Sequence, residues 1–157
     1  MFDLQVGMPQ EPHRMALHQS PNDVMVIDDT GTLSANDQVM TLKRVTMAAA
    51  RQRRIIVVSG APDLTGDSDY DSLDAFAAVF VRLNVSQVFA VGPEARAIFL
   101  SVGREGSWDG ESQHCVDVDT AYDEVRAFIR PGDVVLVMGT TGQSLLPLYH
   151  LLVEDLQ

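Results

Sequence analysis

Short apolar runs rich in β-branched residues alternate along the chain with segments whose apolar residues recur at helical spacing. The clearest runs are Val24–Ile27, Ile55–Val58, Val88–Val91 and Val134–Val137, with a weaker one at Cys115–Val118. Continuous runs of this kind are typical of strands buried on both faces of a parallel sheet. The loosely alternating segment His13–Gln19 indicates one extra strand.

The segments between these runs carry apolar stripes that predict helices, because residues three or four apart share a helix face. The four stripes are Val39, Leu42, Val45 and Ala49; Leu73, Phe76, Ala77 and Phe80; Tyr122, Val125, Phe128 and Ile129; and Leu145, Leu148, Tyr149 and Leu152. A shorter helix is predicted to begin at Pro93, since proline suits the first helical position. The sequence Arg130–Asp133 predicts a helix stop followed by a turn.

This order of elements predicts an α/β fold of five strand–helix units. The expected architecture is Rossmann-like, a mostly parallel, doubly wound sheet with helices on both faces. Residues 1–12, which contain Gly7, Pro9 and Pro12, indicate an extended N-terminal arm, and residues 13–157 a single domain.

Composition narrows the classes of function. Acidic residues outnumber Lys and Arg by 22 to 11, and the formal charge of −11 repels phosphate backbones, so we expect no nucleic-acid partner. No stretch approaches the roughly 18 apolar residues of a membrane span, and the N-terminus has no secretory pattern. Cys115 is the only cysteine. These features predict a cytoplasmic protein with no membrane partner.

A ligand of such a sheet is expected beyond the carboxyl ends of the strands, where four loops matter: Asp28–Asn36, Ser59–Asp69, Gly92–Pro93 and Gly139–Gly142. The candidate ligand-binding residues in these loops are Asp28, Asp29, Thr30, Asn36, Gly60, Gly139, Thr140 and Thr141. We predict that Asp29, Gly60, Gly92 and Gly139 lie near one edge of the sheet. The Gly139–Gly142 segment is either an anion site at the start of a helix or a glycine turn that leads into a helix.

Several kinds of chemistry are excluded or disfavoured. No G-x-x-x-x-G-K-[ST] loop is present, and the only lysine, Lys43, has no glycine nearby, so no phosphate cradle is encoded.

The acidic residues Asp63, Asp67, Asp69, Asp71 and Asp74 do not have the spacing of a Ca²⁺ loop and are better explained as helix-dipole partners. His114 and Cys115 lack a second ligand pair at zinc spacing. No G-x-S-x-G motif is present. We predict no catalytic residue and no metal site.

Three segments resemble the C-terminal domain of the Mur ligases. They are "VIDDT" (Val26–Thr30) with the following Ala35-Asn36 and Met40, "FAVGPEARAI" (Phe89–Ile98) and "RPGDVVLVMGTTG" (Arg130–Gly142). "HRMALH" (His13–His18) is similar to the segment that leads into that domain. The order and spacing of these segments carry the resemblance, which covers about residues 13 to 153. It is strongest to the members that add D-Ala-D-Ala to UDP-MurNAc-tripeptide.

The resemblance implies a role in making peptidoglycan precursors. Mur ligases activate a carboxylate with ATP and Mg²⁺, and their C-terminal domain closes over the site to help hold the incoming amino acid or dipeptide and part of the nucleotide. The Asp28–Asn36 loop is then expected to bind an ammonium group or the adenine end. The alternative is turn chemistry, with Asn36 capping the next helix. No cofactor is expected for this domain alone.

The chain also departs from the family pattern. Gly31-Thr32 replace an aromatic–asparagine pair, two residues are inserted around Leu33-Ser34, and Asp37 stands in place of a proline. Met138 occupies a position where the family has lysine. Three hypotheses stay open: the positioning domain of a ligase that partners the remaining ligase domains, a non-catalytic interaction module that binds another cell-wall protein, and a free-standing nucleotide-binding domain. The last is the weakest, because no G-x-G-x-x-G follows the first strand.

Overall fold

A computed structural model describes residues 12–49, 53–66, 69–105 and 108–157. The strands are β1 (Ala16–Gln19), β2 (Met25–Asp29), β3 (Ile55–Ser59), β4 (Gln87–Val91), β5 (Glu111–Cys115) and β6 (Val134–Met138). The helices are α1 (Ala35–Ala48), α2 (Leu73–Arg82), α3 (Arg96–Gly103), α4 (Val118–Phe128) and α5 (Leu146–Asp155), and a 3₁₀ turn at Pro93–Ala95 precedes α3.

The six strands form one sheet in the order β1-β2-β6-β3-β4-β5. β2, β6, β3, β4 and β5 run parallel, and β1 pairs antiparallel with β2 at one edge. The last strand in the chain, β6, therefore lies between β2 and β3. The mostly parallel α/β prediction is confirmed, and the extra strand is the antiparallel edge strand β1.

Helices cover both faces of the sheet, as predicted. Val39 of α1, Phe76 of α2 and Ile98 of α3 share one core with Ile27 and Leu136. On the other face, residues of α4 and α5 pack against alternate strand residues; this second core includes Val125, Leu148, Val26 and Val135. Because side chains alternate along a strand, successive residues of β2 and β6 contribute to opposite cores.

Side-chain caps mark three of the helix starts. Ser34 accepts a hydrogen bond from Asp37 N (3.1 Å) at α1, Ser72 from Ala75 N (3.1 Å) at α2, and Asp117 from Thr120 N (2.8 Å) at α4. Each cap satisfies one amide that has no partner inside the helix. The predicted turn after α4 is also present, with Gly132 at a φ of 96°.

The prediction for the fifth strand is wrong. It was placed at Cys115–Val118, whereas β5 covers Glu111–Cys115 and Val118 begins α4. β5 is an edge strand with half-exposed polar side chains, so it has no apolar run to reveal it. Val116, in the middle of the predicted run, is 66% exposed.

The predicted N-terminal arm, residues 1–12, falls almost entirely outside the described residues. Within the described part of the chain, no helix combines the length and apolar character that crossing a membrane requires.

Candidate functional site

Four loops meet at the carboxyl edge of the parallel strands. Asp29 is the last residue of β2, and Gly60, Gly92 and Gly139 directly follow β3, β4 and β6. Because these strands are parallel and adjacent in the sheet, the four positions lie at one edge. The predicted gathering of the four loops is confirmed.

The two consecutive aspartates of β2 face opposite sides of the sheet. Asp28 is 2% exposed, and its Oδ2 lies 2.8 Å from His13 Nδ1. Its Oδ1 accepts hydrogen bonds from the Thr30 amide (3.0 Å) and hydroxyl (2.7 Å). The charge of Asp28 also contributes to a raised pKa of Tyr149 on α5, after the larger effect of burial. Both oxygens of Asp28 are thus already engaged.

Asp29 is fully buried on the α1 side of the sheet. Its Oδ1 accepts hydrogen bonds from the Met15 amide (3.0 Å) and the Thr32 hydroxyl (2.9 Å). Burial raises the pKa of this carboxyl from 3.8 to about 6, against the lowering effects of Thr32, the Met15 amide and Thr41. Desolvation therefore outweighs hydrogen bonding at Asp29.

The two aspartates hold a strained backbone segment at residues 13–15. His13 and Met15 have φ values of 61° and 48°, in the left-handed region that non-glycine residues rarely adopt. His13 O accepts a hydrogen bond from Gly31 N (2.7 Å), and a Cβ at Gly31 would lie 3.0 Å from that oxygen. Gly31 therefore allows the β2–α1 loop to approach the segment closely.

Gln38 connects two of the edge loops, a role that the sequence analysis missed. Its Nε2 donates to Thr32 O (2.9 Å) and to Gly139 O (2.9 Å), and the residue is fully buried. A Cβ on Gly139 would come within 2.2 Å of Thr32 O, so only glycine fits there. A polar residue inside the apolar stripe of α1 was the signal that could have identified Gln38.

The Gly139–Gly142 segment is tied to the loop after β3. Thr141 N donates to Ala61 O (2.9 Å), and Gly142 N donates to the Thr140 hydroxyl (3.0 Å). The Thr140 side chain packs directly over Gly60, where an added Cβ would lie 2.3 Å from its oxygen. Since α5 begins only at Leu146, these amides are not at a helix start, and both interpretations of this segment are wrong on that point.

Asn36 and the acidic loop after β3 take a smaller part in the contacts of the carboxyl edge. Asn36 is exposed in the first turn of α1, and the alternative in which it caps this helix is wrong, because Ser34 is the cap. Asp63 accepts hydrogen bonds from Thr65, which lower its pKa, and its backbone pairs with Leu33 and Ala35. Asp67 lies outside the described residues.

The described residues contain no group of three or more His, Cys, Asp or Glu side chains placed to hold a metal. His114 Nε2 lies 2.8 Å from Gly92 O, and burial raises the pKa of Cys115 to about 11, so that thiol is inert. Met138 stands where the family that the sequence resembles has a lysine, and its side chain is fully buried in the core. The edge therefore offers carboxylates, hydroxyls and carbonyls, with no lysine ammonium.

Comparison with known protein families gives one match that spans most of the chain. The model for the Mur ligase, glutamate ligase domain matches residues 13–141. These residues include β1 to β6 and, apart from Gly142, the four loops of the carboxyl edge.

A curated relative and two solved structures are similar to the chain. UDP-N-acetylmuramoyl-tripeptide--D-alanyl-D-alanine ligase of Mycobacterium leprae (strain TN) is 29% identical over 160 residues, which cover 94% of this chain and 31% of the relative. MurF from Acinetobacter baumannii matches with a TM-score of 0.66 and 19% identity, over 94% of this chain and 31% of that one. MurF ligase from Thermotoga maritima in complex with ADP matches with a TM-score of 0.64 and 16% identity, over 94% and 33%. The chain spans about a third of the length of the curated relatives it matches.

Proposed function

The chain belongs to the Mur ligase family, by its match to the glutamate ligase domain, and we propose that it acts as the C-terminal domain of a ligase that adds D-Ala-D-Ala to UDP-MurNAc-tripeptide. The observation that carries the proposal is the family match across all six strands, together with the loops that meet at the carboxyl edge. In this role the domain positions the dipeptide and part of the nucleotide and has no catalytic residue of its own. Such a ligase works in the cytoplasm, and its remaining domains are the partner.

ATP and Mg²⁺ belong to the intact ligase in this proposal. The residues at the edge do not fit a nucleotide phosphate by themselves. The Thr141 and Gly142 amides are occupied within the chain, Met138 is buried and uncharged, and the net charge is −11. A phosphate cradle needs several free amide donors and a cation. The phosphates and the metal are therefore assigned to the other domains.

The candidate residues for contact with the dipeptide or the nucleoside are those on the accessible side of the edge. Thr30, Asn36, Thr140 and Thr141 are partly or fully exposed. Asp28, Asp29, Gly60 and Gly139 shape the loops, because they are buried and contact other parts of the chain. A ligand would meet the first group directly and depend on the second for geometry.

A chimera tests the proposal. The matching third of the Mycobacterium leprae ligase is replaced by residues 13–157 of this chain, and phosphate release is followed with UDP-tripeptide, D-Ala-D-Ala, ATP and Mg²⁺. We expect measurable ligation by the chimera and background rates from the isolated chain, which has no phosphate cradle. The intact relative is the control. A folded chimera that binds UDP-tripeptide but forms no product would contradict the proposal.

The second candidate is a non-catalytic interaction module that kept the fold. The observation that favours it is that both oxygens of Asp28 and the amides of Thr141 and Gly142 are already engaged by contacts within the chain. An inactive but folded chimera is the result this candidate predicts. Its partner would then be another cell-wall protein.

A further inference from the structure

A histidine and a buried aspartate meet at the carboxyl edge, beside the first strand. His13 lies three residues before β1, and the antiparallel pairing of Ala16 with Asp28 brings it to the end of β2. Its Nδ1 lies 2.8 Å from Asp28 Oδ2. The Asp28 side chain is buried, whereas 46% of the His13 side chain is exposed. The histidine is therefore the accessible member of the pair.

The contacts of Asp28 decide which nitrogen of the His13 ring carries the hydrogen. Asp28 Oδ1 accepts hydrogen bonds from the Thr30 amide and hydroxyl, and Oδ2 faces the ring. Because an ionised carboxylate can only accept hydrogen bonds, it holds a neutral imidazole as the tautomer with the hydrogen on Nδ1. Nε2 then keeps a lone pair, and it makes no hydrogen bond to any residue that the structure describes.

The backbone of His13 is also held in place. Its φ of 61° lies in the left-handed region, which non-glycine residues rarely adopt, and its carbonyl oxygen accepts a hydrogen bond from Gly31 N at 2.7 Å. A residue in this conformation persists only when its surroundings fix it, and such residues are concentrated at sites of function. One contact from β2 and one from the β2–α1 loop therefore orient the ring.

We propose that His13 Nε2 accepts a hydrogen bond from the ammonium group of the incoming dipeptide, and that Asp28 is the positioning residue behind it. The assignment rests on the proposed ligase role. Asp28 does not meet the ammonium group itself, because both of its oxygens are engaged within the chain. A neutral imidazole and an ionised carboxylate together carry one negative charge, which attracts a cation at the accessible end of the pair.

An adenine amino group also offers an N–H donor, but the surroundings favour the ammonium group. The net charge of −11 attracts cations and repels the phosphates of a nucleotide. In the β2–α1 loop, Gly31 and Thr32 offer no aromatic face on which a base could stack. The dipeptide is therefore the ligand whose chemistry fits His13.

NMR spectra that connect ring protons to ring nitrogens test the assignment on the unaltered chain. At pH 7.5 we expect the Nδ1–H tautomer at His13 and a saturable shift of its Nε2 with millimolar D-Ala-D-Ala. N-acetyl-D-Ala-D-Ala, which has no ammonium group, should leave Nε2 unshifted. The exposed ring of His150 on α5 is the internal control. A shift with adenosine alone, an equal shift with the acetylated dipeptide, or no shift with any of the three would overturn the proposal.

Asp28→Asn tests the positioning role. The new amide oxygen stays on the Thr30 donors, so the NH₂ group faces His13 and moves the ring hydrogen from Nδ1 to Nε2. We expect the nitrogen spectrum to show the reversed tautomer and the dipeptide-induced shift to disappear, although the ring is still present. Asp23→Asn, at an exposed aspartate that pairs with Arg53, is the matched control and should change neither. A dipeptide-induced shift that survives Asp28→Asn would contradict the positioning role.

The chimera separates this assignment from the proposed function. In an active chimera, His13→Asn should raise KM for D-Ala-D-Ala at least about tenfold and leave KM for ATP unchanged, because one charge-assisted contact is lost. Asparagine tolerates the left-handed backbone but is shorter than histidine. An unchanged dipeptide KM would overturn the role of His13 and leave the ligase role intact. If the folded chimera is inactive, the ligase role fails, and the titration of the unaltered chain decides whether His13 binds the ammonium group.

Discussion

Two buried aspartates at opposite edges of the sheet are stabilised in different ways. Asp133, at the amino edge, accepts two hydrogen bonds from Arg54, at 2.8 and 2.6 Å, and one from the Arg130 amide at 2.8 Å. Asp29, at the carboxyl edge, is hydrogen-bonded by neutral groups, the Met15 amide and the Thr32 hydroxyl, with a further contribution from Thr41. Both side chains are almost completely buried.

The difference extends to the surroundings of each aspartate. At the amino edge, Arg54 also donates to Phe128 O and lies 4.4 Å from the centre of the Phe128 ring, so the guanidinium is held on several sides. At the carboxyl edge, the segment around Met15 is strained, and the buried Gln38 Oε1 has no hydrogen-bond partner in the part of the chain that the structure describes. One edge is built for stability. The other keeps unsatisfied polar groups and strain, which are common where a protein binds or moves.

The largest expected effect is at the amino edge. Arg54→Met keeps the length of the side chain but leaves Asp133 buried without its cation. We expect a loss of about 3 kcal/mol in the free energy of unfolding, near the lower end of the range for a broken buried pair, because Arg54 is partly exposed. Urea denaturation followed by circular dichroism measures it. A loss below about 1 kcal/mol would show that the amino edge does not depend on this pair.

Gly139→Ala tests the packing of the carboxyl edge. Its Cβ would lie 2.2 Å from the Thr32 carbonyl oxygen and 3.0 Å from that of Thr30, and backbone atoms cannot rotate away. We expect a loss of about 2–3 kcal/mol in the same denaturation experiment. Gly103→Ala, which has open space around it at the end of α3, is the matched control and should be close to neutral.

Asp29→Asn should raise the free energy of unfolding, whereas the two substitutions above lower it. Because the folded-state pKa of Asp29 lies above 3.8, its stabilising contribution is complete below pH 4 and is lost as pH rises from about 4 to about 6. The variant removes this loss, so we expect a gain of about 2–3 kcal/mol at pH 7.5 and a change below about 1 kcal/mol at pH 4. Denaturation at both pH values checks the sign. A variant less stable than the original at pH 7.5 would show that the carboxylate is stabilising there.

The smallest expected effect is the binding of ligands by the isolated chain. We expect ATP and D-Ala-D-Ala to bind the isolated chain with a Kd of order millimolar or weaker, because a single domain wall encloses little of a ligand. The missing lysine charge at Met138 lowers affinity further, by roughly ten- to a hundred-fold. Amide chemical-shift titration locates any binding. Saturation at micromolar ATP around Asp28–Asn36 or Gly139–Gly142 would reveal a working site at the carboxyl edge.

The sequence predicted the apolar strands of the sheet better than it predicted the polar outer strand and the backbone of residues 13–15. β2, β3, β4 and β6 are apolar on both faces, so their positions and the gathering of the loops followed from the pattern. β5 was misplaced because its side chains are mostly polar and half-exposed, so this strand has no apolar run. The positive φ angles of His13 and Met15 have no local signature, since tertiary contacts with Asp28 and Asp29 impose them. The link that Gln38 makes between Thr32 and Gly139 depends on residues that only the fold brings together.

The position of β6 between β2 and β3 sets the order in which the sheet can assemble. While the ribosome is still making the chain, β2 and β3 both exist before the strand that joins them. Until β6 emerges, each presents an unpaired edge of buried, apolar character, the kind that promotes aggregation. To complete the sheet, the chain must bring together residues about a hundred positions apart, such as Gln38 and Gly139. Contacts between residues so distant in sequence favour slow folding. A chain cut before Val134 would lack a central strand of its own sheet, so this domain can become stable only after β6 has been synthesised.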